Sequence, residues 1–307
     1  MGDEERGAGP RDGRAGITAR LVSRLLAEQH PRWAGLPVVP VETDGWDNRT
    51  YRLGDALTVR LPTHDRYVAG VAKEDRWLPV LAPQLPLAVP EPVATGRPGV
   101  GYPHPWSVRR WIPGHPAGSR PVADLTAFAE TLAGFLRALR AADPTGAPAA
   151  GAHSFFRGSP PEHYDSEVVA SLATLGPGVD HVAARAVWRD ALASTWTGSP
   201  VWFHGDVAPG NLLVDDHGRL TAVIDFGTSG VGDPACELVI AWTFLHGEAR
   251  RVFRAEVGLD DEAWRRARGW ALWKALLVAA ERGPASAVGR EQLCVVDEVL
   301  ADRAEEG

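Results

Sequence analysis

Hydrophobic residues recur with two different periods along this 307-residue chain. Between residues 38 and 112, short runs rich in β-branched and aromatic residues indicate strands, and one segment, residues 67–81, has helical spacing. From Asp124 onward apolar residues recur at intervals of three and four, which predicts helices. The pattern therefore predicts an α+β protein with a β-rich first part and a mostly helical second part.

The same pattern predicts how the chain is divided. Residues 1–15 are rich in glycine and charge, so we expect a disordered tail. Residues 16–112 should form an N-terminal lobe that begins with an amphipathic helix over residues 17–29. Residues 113–307 should form the C-terminal lobe, and the sequence contains no internal repeat.

Two polar motifs stand out where short strands interrupt the second, helical part. Residues 204–211 read H-x-D-x4-N, and residues 225–227 read D-F-G. Ordinary residue frequencies would produce this combination by chance in roughly one chain in ten thousand. The order and spacing are typical of a kinase catalytic loop followed by its metal loop.

The residue types in these motifs suit phosphoryl transfer, which mainly needs positioning and charge neutralisation. Asp206 is the candidate catalytic residue, because its carboxylate can accept or orient the proton of an attacking hydroxyl. Asn211 and Asp225 are the candidate metal ligands, since Mg²⁺ prefers hard oxygen donors and retains water. Alone, Asp206 could equally cap a turn. We expect His204 to be structural, with its imidazole hydrogen-bonded to backbone carbonyls so that it fixes the loop.

Residues 204–211, 224–227 and 230–235 together resemble the aminoglycoside phosphotransferase family, whose wider relatives include macrolide, choline and fructosamine kinases. Gly205 is the form found in small-molecule kinases, where protein kinases usually carry arginine. Glu237 replaces the usual aspartate of the family, and its longer arm could brace the catalytic loop. The resemblance covers about residues 36–280 and implies a protein-kinase-like fold with two lobes, the N-lobe small and β-rich, the C-lobe larger and mostly helical.

The resemblance also implies a site for ATP or GTP in the N-terminal lobe. Residues 45–54, with Asn48, resemble the nucleotide-binding loop, although an ordinary hairpin would look similar. Arg60 stands where the family has a lysine that grips phosphates, or is simply an exposed strand residue. Glu74 is its candidate ion-pair partner, unless it is a solvated helix residue. Trp111 precedes the hinge, where backbone groups would meet the purine edge.

Composition narrows the possible partners and location. The net charge of −7 argues against a nucleic-acid or anionic-membrane partner, and no apolar run reaches the eighteen residues that a membrane span needs. The N-terminus lacks the apolar stretch of a secretion signal, and the two cysteines form no disulfide framework. We therefore expect a cytoplasmic protein, either monomer or dimer.

The acceptor should be the hydroxyl of a small molecule that the C-terminal helices recognise. A cationic aminoglycoside, our first candidate, would be met by carboxylates, whereas a macrolide would need a broader apolar wall. A small metabolite is a further alternative. Trp270 and Trp273 lie on one helical face and favour core packing over a ligand wall.

Two other classes of protein are weaker hypotheses. A catalytically inactive kinase-like binding protein would have lost a catalytic residue, and only Arg60 leaves room for that interpretation. A hydrolase is disfavoured because the chain has neither a G-x-S-x-G nor an H-E-x-x-H motif. The absence of G-x4-G-K-[ST] also excludes a P-loop kinase.

Overall fold

The computed structural model describes residues 12–42, 45 and 47–306, and these residues form two compact units. The first takes in the described residues up to Gln84, then Ala88–Pro113 and Val223–Gly227. The second takes in Leu85–Leu87, Gly114–Ala222 and the described residues from Thr228 onward. The segment with Asp225 thus belongs to the first unit, although it follows most of the second in sequence.

A five-stranded antiparallel sheet forms the frame of the first unit. Its strands, in chain order, are β1 (Val38–Pro40), β2 (Asn48–Leu53), β3 (Leu57–Pro62), β4 (Pro92–Gly96) and β5 (Trp106–Arg110). Their spatial order is β1-β2-β3-β5-β4, which places β3 at the centre. Arg60 on β3 is therefore paired on both sides, with Thr50 of β2 and Ser107 of β5.

Three helices accompany this sheet: α1 (Asp12–Ala15), α2 (Ala19–Gln29) and α3 (Asp65–Leu81). Helix α2 begins two residues later than predicted because the side chain of Thr18 caps it by accepting from the amide of Leu21. Of the predicted disordered tail, residues 1–11 lie outside the described residues. Residues 12–15 are helical, which corrects that part of the prediction; the amide of Ile17 donates to the carbonyl of Arg14 and ties this turn to the core.

The core of the first unit lies between α2 and the sheet. Two buried tyrosines satisfy their hydroxyls on backbone carbonyls, Tyr51 on Ile17 and Tyr102 on Pro62. The fully packed apolar residues are Ile17, Val22, Leu25, Leu26, Tyr51, Leu53, Val59, Leu61, Tyr102, Trp106 and Val108. This packing fixes β3 and β5, the two strands that carry charged side chains toward the candidate site.

The second unit is mostly helical. Its helices are α4 (Leu125–Ala141), α5 (Asp165–Leu175), α6 (His181–Ala193), α7 (Ile240–Thr243), α8 (Gly247–Val257), α9 (Asp261–Arg282) and α10 (Ala287–Glu306). Its short strands are β6 (His115–Pro116), β7 (Val201–Phe203), β8 (Leu212–Val214), β9 (Leu220–Val223, whose last residue belongs to the first unit) and β10 (Gly230–Gly232). Among the described helices, none combines the length and the apolar content needed to cross a bilayer.

Helix α9 is the central helix of the second unit. It packs against α5, α6 and α10, so it is buried on most of its faces rather than along one stripe. Arg266, Trp270 and Lys274 follow one another at intervals of four, which places their side chains along one side of the helix. The residues on this side connect the packed interior to the catalytic-motif loop.

A buried ion pair holds α9 against the Gly-Asp-Pro-Ala segment of the family motif. The carboxylate of Asp233 accepts from Arg266 Nε at 2.7 Å and Nη2 at 3.3 Å, and also from the amide of Ala235. Arg266 additionally donates to the hydroxyl of Ser194 at 2.6 Å. Both charged groups are therefore well bonded, which is the condition under which a buried pair is tolerated.

Replacing Asp233 with alanine should lower the free energy of unfolding by about 3–5 kcal/mol, because Arg266 would remain buried without its counter-charge. Chemical denaturation of purified variants measures this loss. The double variant with Arg266→Met should regain part of it, and Asp216→Ala, at an exposed turn, serves as the control. A double variant as unstable as Asp233→Ala would show that the unpaired charge is not the cause.

Candidate active site

The predicted ion pair between Arg60 and Glu74 is present in the first unit. Arg60 Nη1 on β3 donates to Glu74 Oε1 on α3 at 3.2 Å, and both side chains are largely buried. The second terminal nitrogen of Arg60, Nη2, donates to Asp225 Oδ1 at 2.9 Å. Arg60 therefore connects the central strand to both carboxylates, as the kinase-like spacing predicted for Glu74.

Glu74 also binds two groups that the sequence did not suggest. Nη1 of Arg109, on β5, lies 3.0 Å from Glu74 Oε1, and the amide of Phe226 donates to the same oxygen at 3.1 Å. Burial alone would raise the pKa of Glu74, but the charges of Arg109, Arg60 and Lys73 outweigh burial and lower it. Glu74 is thus an ionised carboxylate that ties two strands to the D-F-G segment.

Lys73, beside Glu74 on α3, is a third cation in this cluster, after Arg60 and Arg109, and it is buried. Burial lowers its pKa to about 8, although the charges of Glu74 and Asp225 oppose the shift. The sequence pattern predicted no role for Lys73. Its position one residue before Glu74, in a densely charged run of α3, was the available signal.

Asp225 holds a backbone conformation that few residues adopt. Its φ of +67° lies in the left-handed region, where Asn and Asp are the side chains best tolerated after glycine. Arg60 binds Oδ1, and no described residue donates to Oδ2. The side chain is 29% exposed, so one carboxylate oxygen remains available to a cation.

The other two candidate nucleotide residues lie in or beside the two strands that flank β3. Asn48 is the first residue of β2 and pairs with Pro62 of β3. Trp111 follows β5, and its amide donates to the carbonyl of Ala56 at 2.9 Å, so that amide is not free to meet a purine. The guanidinium of Arg52 lies 4.0 Å from the Trp111 ring and covers it.

In the second unit, Glu237 braces the loop of the H-x-D-x4-N motif. Its two carboxylate oxygens accept from the amides of His204, at 2.9 Å, and Gly205, at 2.8 Å. His204 is fully buried, and its Nδ1 accepts from the backbone amide of Asp206 at 3.2 Å, so this imidazole contact is with an amide of the loop. Gly205 has a φ of +87°, and a Cβ there would meet the carbonyl oxygen of Thr228 at 2.9 Å, so only glycine fits.

Asp206, at the centre of this loop, is held by two side chains. Lys274 Nζ on α9 donates to Oδ1 at 2.8 Å, and Asn211 Nδ2 donates to Oδ2 at 3.0 Å and to the backbone carbonyl at 2.9 Å. Burial would raise the pKa of Asp206, but Lys274, His204 and Arg157 lower it to about 2. The carboxylate is therefore ionised and fixed in orientation while remaining 35% exposed.

Each unit presents one oxygen donor that suits a hard divalent cation. In the second unit, the amide nitrogen of Asn211 is taken by Asp206, which leaves its side-chain oxygen without a donor among the described residues. In the first unit, Asp225 presents one free carboxylate oxygen. The described residues contain no cluster of three or more His, Cys, Asp and Glu side chains suited to a metal. A magnesium ion bound to either oxygen would therefore need phosphate and water oxygens as further ligands, which is its usual preference.

A pocket of about 210 Å³ opens beside Asp206 within the second unit. Arg157 and Lys274 contribute its positive charges, while Trp270 and Trp273 contribute aromatic wall. Both tryptophans are almost fully buried, so the predicted core packing is correct, and each also lines the pocket. The sequence pattern predicted no role for Lys274 or Arg157. The one available signal was that Lys274 follows Trp270 by four residues and therefore lies on the same side of the helix.

Comparison with known proteins identifies the family. A model of the phosphotransferase enzyme family matches residues 38–270, so the chain belongs to this family, as the sequence resemblance predicted. The fold prediction is confirmed too, with a β-rich first unit and a mostly helical second one. No curated protein matches the chain.

Solved structures of phosphotransferases share the fold at low identity. The GDP complex of aminoglycoside 2'-phosphotransferase-IIIa is 18% identical, with a TM-score of 0.69 over 94% of this chain and 100% of that one. Macrolide 2'-phosphotransferase MphH from Brachybacterium faecium is 21% identical, with a TM-score of 0.59 over 92% and 97%. A thermostable aminoglycoside phosphotransferase mutant, in a ternary complex with AMP-PNP and hygromycin B, is 20% identical, with a TM-score of 0.62 over 92% and 99%.

Replacing Glu237 with alanine should lower the free energy of unfolding by about 2–4 kcal/mol, because two buried amides would lose their acceptor. Thermal and chemical denaturation measure the loss. Glu237→Asp, which restores the usual family residue with a shorter arm, should lose less than the alanine variant. Equal stability of the alanine variant and the native protein would contradict the bracing role.

The pKa of Asp206 should rise by more than about one unit in Lys274→Gln, because the nearest positive charge is removed while burial persists. Carbon-detected NMR titration of the aspartate carboxyl measures it directly. The native carboxylate should stay ionised at every pH above about 3, given its pKa of about 2. An unchanged pKa in the variant would show that Lys274 is not its main charge partner.

Proposed function

We propose that this protein is a magnesium-dependent kinase that transfers the γ-phosphate of ATP or GTP to a hydroxyl of a small molecule. The observation that carries the proposal is the state of the Asp206 carboxylate. This carboxylate is ionised, oriented by Lys274 and Asn211, and exposed to a pocket on a braced loop. Membership of the phosphotransferase enzyme family supports the same reaction class.

Asp206 would act by orienting the acceptor hydroxyl. With a pKa of about 2 it is a weak base, so it accepts a hydrogen bond from the hydroxyl and takes the proton only as the new bond to phosphorus forms. This timing suits phosphoryl transfer, whose loose transition state needs little early deprotonation of the nucleophile. Lys274 and Asn211 keep the carboxylate from rotating away.

The first unit supplies the charges for the nucleotide. Arg60 would neutralise the phosphates in place of the family's lysine, and Glu74 keeps its guanidinium in position. Arg109 and Lys73 add two further cations to the same cluster. By family resemblance, Asn48 would contact the phosphates of ATP or GTP, and the chain at Trp111 would lie near the purine.

Asn211 and Asp225 would hold the magnesium ion through their free oxygens, together with phosphate oxygens and water. When bound, the ion supplies charge neutralisation at the β- and γ-phosphates. Asp225 also binds Arg60, so its orientation is set before a cation arrives. A cytoplasmic location and the oligomeric state, monomer or dimer, stay predictions.

Two candidate acceptors remain for this reaction. An aminoglycoside is the candidate that sequence resemblance suggests, and one structural neighbour is a complex of GDP and kanamycin. A small metabolite is the second candidate, and the lining of the pocket favours it, since two cations rather than a set of carboxylates surround Asp206. An inactive binding protein is disfavoured because Asp206, Asn211 and Asp225 are all present.

Incubating the protein with magnesium, γ-labelled ATP or GTP and a panel of hydroxyl-bearing small molecules tests the proposed reaction. The native protein should transfer label to at least one acceptor class. Asp206→Ala should lower turnover by about 10²–10⁴-fold while keeping nucleotide affinity, because it removes only the hydroxyl-orienting group. Asp216→Ala, with the same substitution at an exposed turn, should match the native rate. Near-native turnover of Asp206→Ala would contradict the assignment.

Asp225→Ala should weaken binding of the magnesium–nucleotide complex by at least about tenfold, because the variant loses the anionic one of the two proposed protein ligands. Calorimetric titration with and without magnesium measures this effect. The affinity for nucleotide without magnesium should change much less. Equal losses in both conditions would assign Asp225 a structural role through Arg60 instead.

A further inference from the structure

Two cations line the pocket beside Asp206, and among the described residues only one of them forms an ion pair with a carboxylate. Four charged side chains line it: Arg157, Lys274, Asp206 and Glu291. Asp206 forms its ion pair with Lys274, and Glu291, in the second turn of α10, is exposed. Arg157 acts on Asp206 only at longer range and has no carboxylate in direct contact, although the chain as a whole carries a net charge of −7.

Arg157 is held in place by neutral groups only. Its Nη1 donates to the carbonyl of Phe155 at 3.1 Å and to the hydroxyl of Tyr164 at 3.4 Å. The guanidinium carbon lies 4.7 Å from the ring centre of Trp273. Within the described part of the chain, no carboxylate forms an ion pair with Arg157, and its Nε and Nη2 donate to no protein atom. These two nitrogens form the edge of a guanidinium that can bind both oxygens of one carboxylate.

The loop that presents Arg157 is rigidly built. Phe155 and Phe156 both have left-handed backbone conformations, with φ of +48° and +53°, a geometry that costs each of them about 1–2 kcal/mol. The hydroxyl of Tyr164 donates to the carbonyl of Phe155 at 2.6 Å and holds the first of them. Such strain persists where the surrounding structure fixes it, most often at binding sites.

The aromatic wall behind Arg157 is fixed as well. Tyr164 stacks on Trp273 with ring centres 3.9 Å apart, and the indole nitrogen of Trp273 donates to Glu167 at 2.8 Å. The carboxylate of Glu167 therefore bonds to an indole, and it forms no ion pair with the guanidinium of Arg157. Arg157 is preorganised for an anion that arrives from outside the chain.

We propose that the natural acceptor carries a carboxylate, which the Nε–Nη2 edge of Arg157 binds while the acceptor's hydroxyl reaches Asp206. This inference rests on the proposed function, because it assigns the acceptor class of the same site. The apolar and aromatic lining, including Val239 and Trp270, covers the stem between the two polar groups. Lys274 contributes further positive charge beside the hydroxyl.

The same lining disfavours a polycationic acceptor. An ammonium group that entered the pocket would meet Arg157 and Lys274 at short range, and like charges in a partly desolvated site repel. The volume of about 210 Å³ also lies below the 300–1,000 Å³ typical of sites for drug-sized ligands. The acceptor is therefore a compact hydroxy acid rather than an aminoglycoside.

Binding of a matched probe pair tests the carboxylate site without nucleotide. We would titrate the full chain with 4-(hydroxymethyl)benzoate and with its carboxamide, which has the same shape but no charge, and measure affinity by ligand-observed NMR. The native protein should bind the carboxylate at least about tenfold more tightly than the amide. Equal affinity, or no detectable binding of the carboxylate, would overturn the proposal.

Arginine variants show whether the preference arises at Arg157. Arg157→Gln should reduce the tenfold preference to less than about threefold, and Arg157→Lys, which keeps the charge but not the fork, should be intermediate. Arg265→Gln, the same substitution at an exposed position of α9, should keep the full preference. A preference that persists in Arg157→Gln, with native melting temperature, would also overturn the proposal.

A transfer assay separates failure of this inference from failure of the proposed function. With magnesium and labelled ATP or GTP, hydroxy acids should accept phosphate at least about tenfold better, by kcat/KM, than their amides or kanamycin. Preferred transfer to kanamycin or to the amides would overturn the carboxylate assignment and leave the kinase assignment intact. Absence of nucleotide binding, with the benzoate preference retained, would overturn the proposed function alone.

Discussion

The buried carboxylate of Glu74 holds together the charged residues of the first unit that lie around Asp225. A single oxygen of Glu74 meets Arg60 from the central strand, Arg109 from the neighbouring strand and the amide of Phe226. Burying any one of these groups without a partner would cost free energy, and their mutual contacts offset that cost. Through Arg60, this cluster also fixes Asp225, which stands in an unusual backbone conformation. The sheet, the helix α3 and the D-F-G segment therefore depend on one acidic side chain.

In the second unit too, a buried carboxylate holds a functional segment in place. Glu237 holds the backbone of the catalytic-motif loop, so that Asp206 can remain partly exposed without the loop losing its shape. The packing of α9 on three other helices gives Lys274 a rigid base from which it reaches Asp206. Helix α9 therefore does two things: it packs in the interior of the second unit, and through Lys274 it orients the carboxylate of Asp206.

Much of this arrangement could be predicted from the sequence, and the omissions share one cause. The spacing within the two motifs located Asp206, Asn211 and Asp225. Glu74 was located because it lies on the helix that follows the strand of Arg60, fourteen residues further along the chain. Lys274 lies sixty-eight residues from Asp206, and no pattern in either segment predicts that the two side chains are in contact. Arg157 lies in a loop whose conformation depends on Tyr164 and Phe203, so periodicity carried no information about it. Residues 12–15 were misjudged because composition does not show that Ile17 anchors them.

In the proposed function, oxygens from Asn211 and Asp225 would bind one metal ion together with the nucleotide. A double-mutant cycle on the affinity for Mn²⁺–ATP, with Asn211→Ala, Asp225→Ala and the double variant, tests it most directly. Ligands of the same ion should be strongly coupled, so the double variant should lose much less affinity than the two single losses combined. Fully additive losses, with each variant still binding one Mn²⁺, would contradict a shared ion and the kinase assignment built on it.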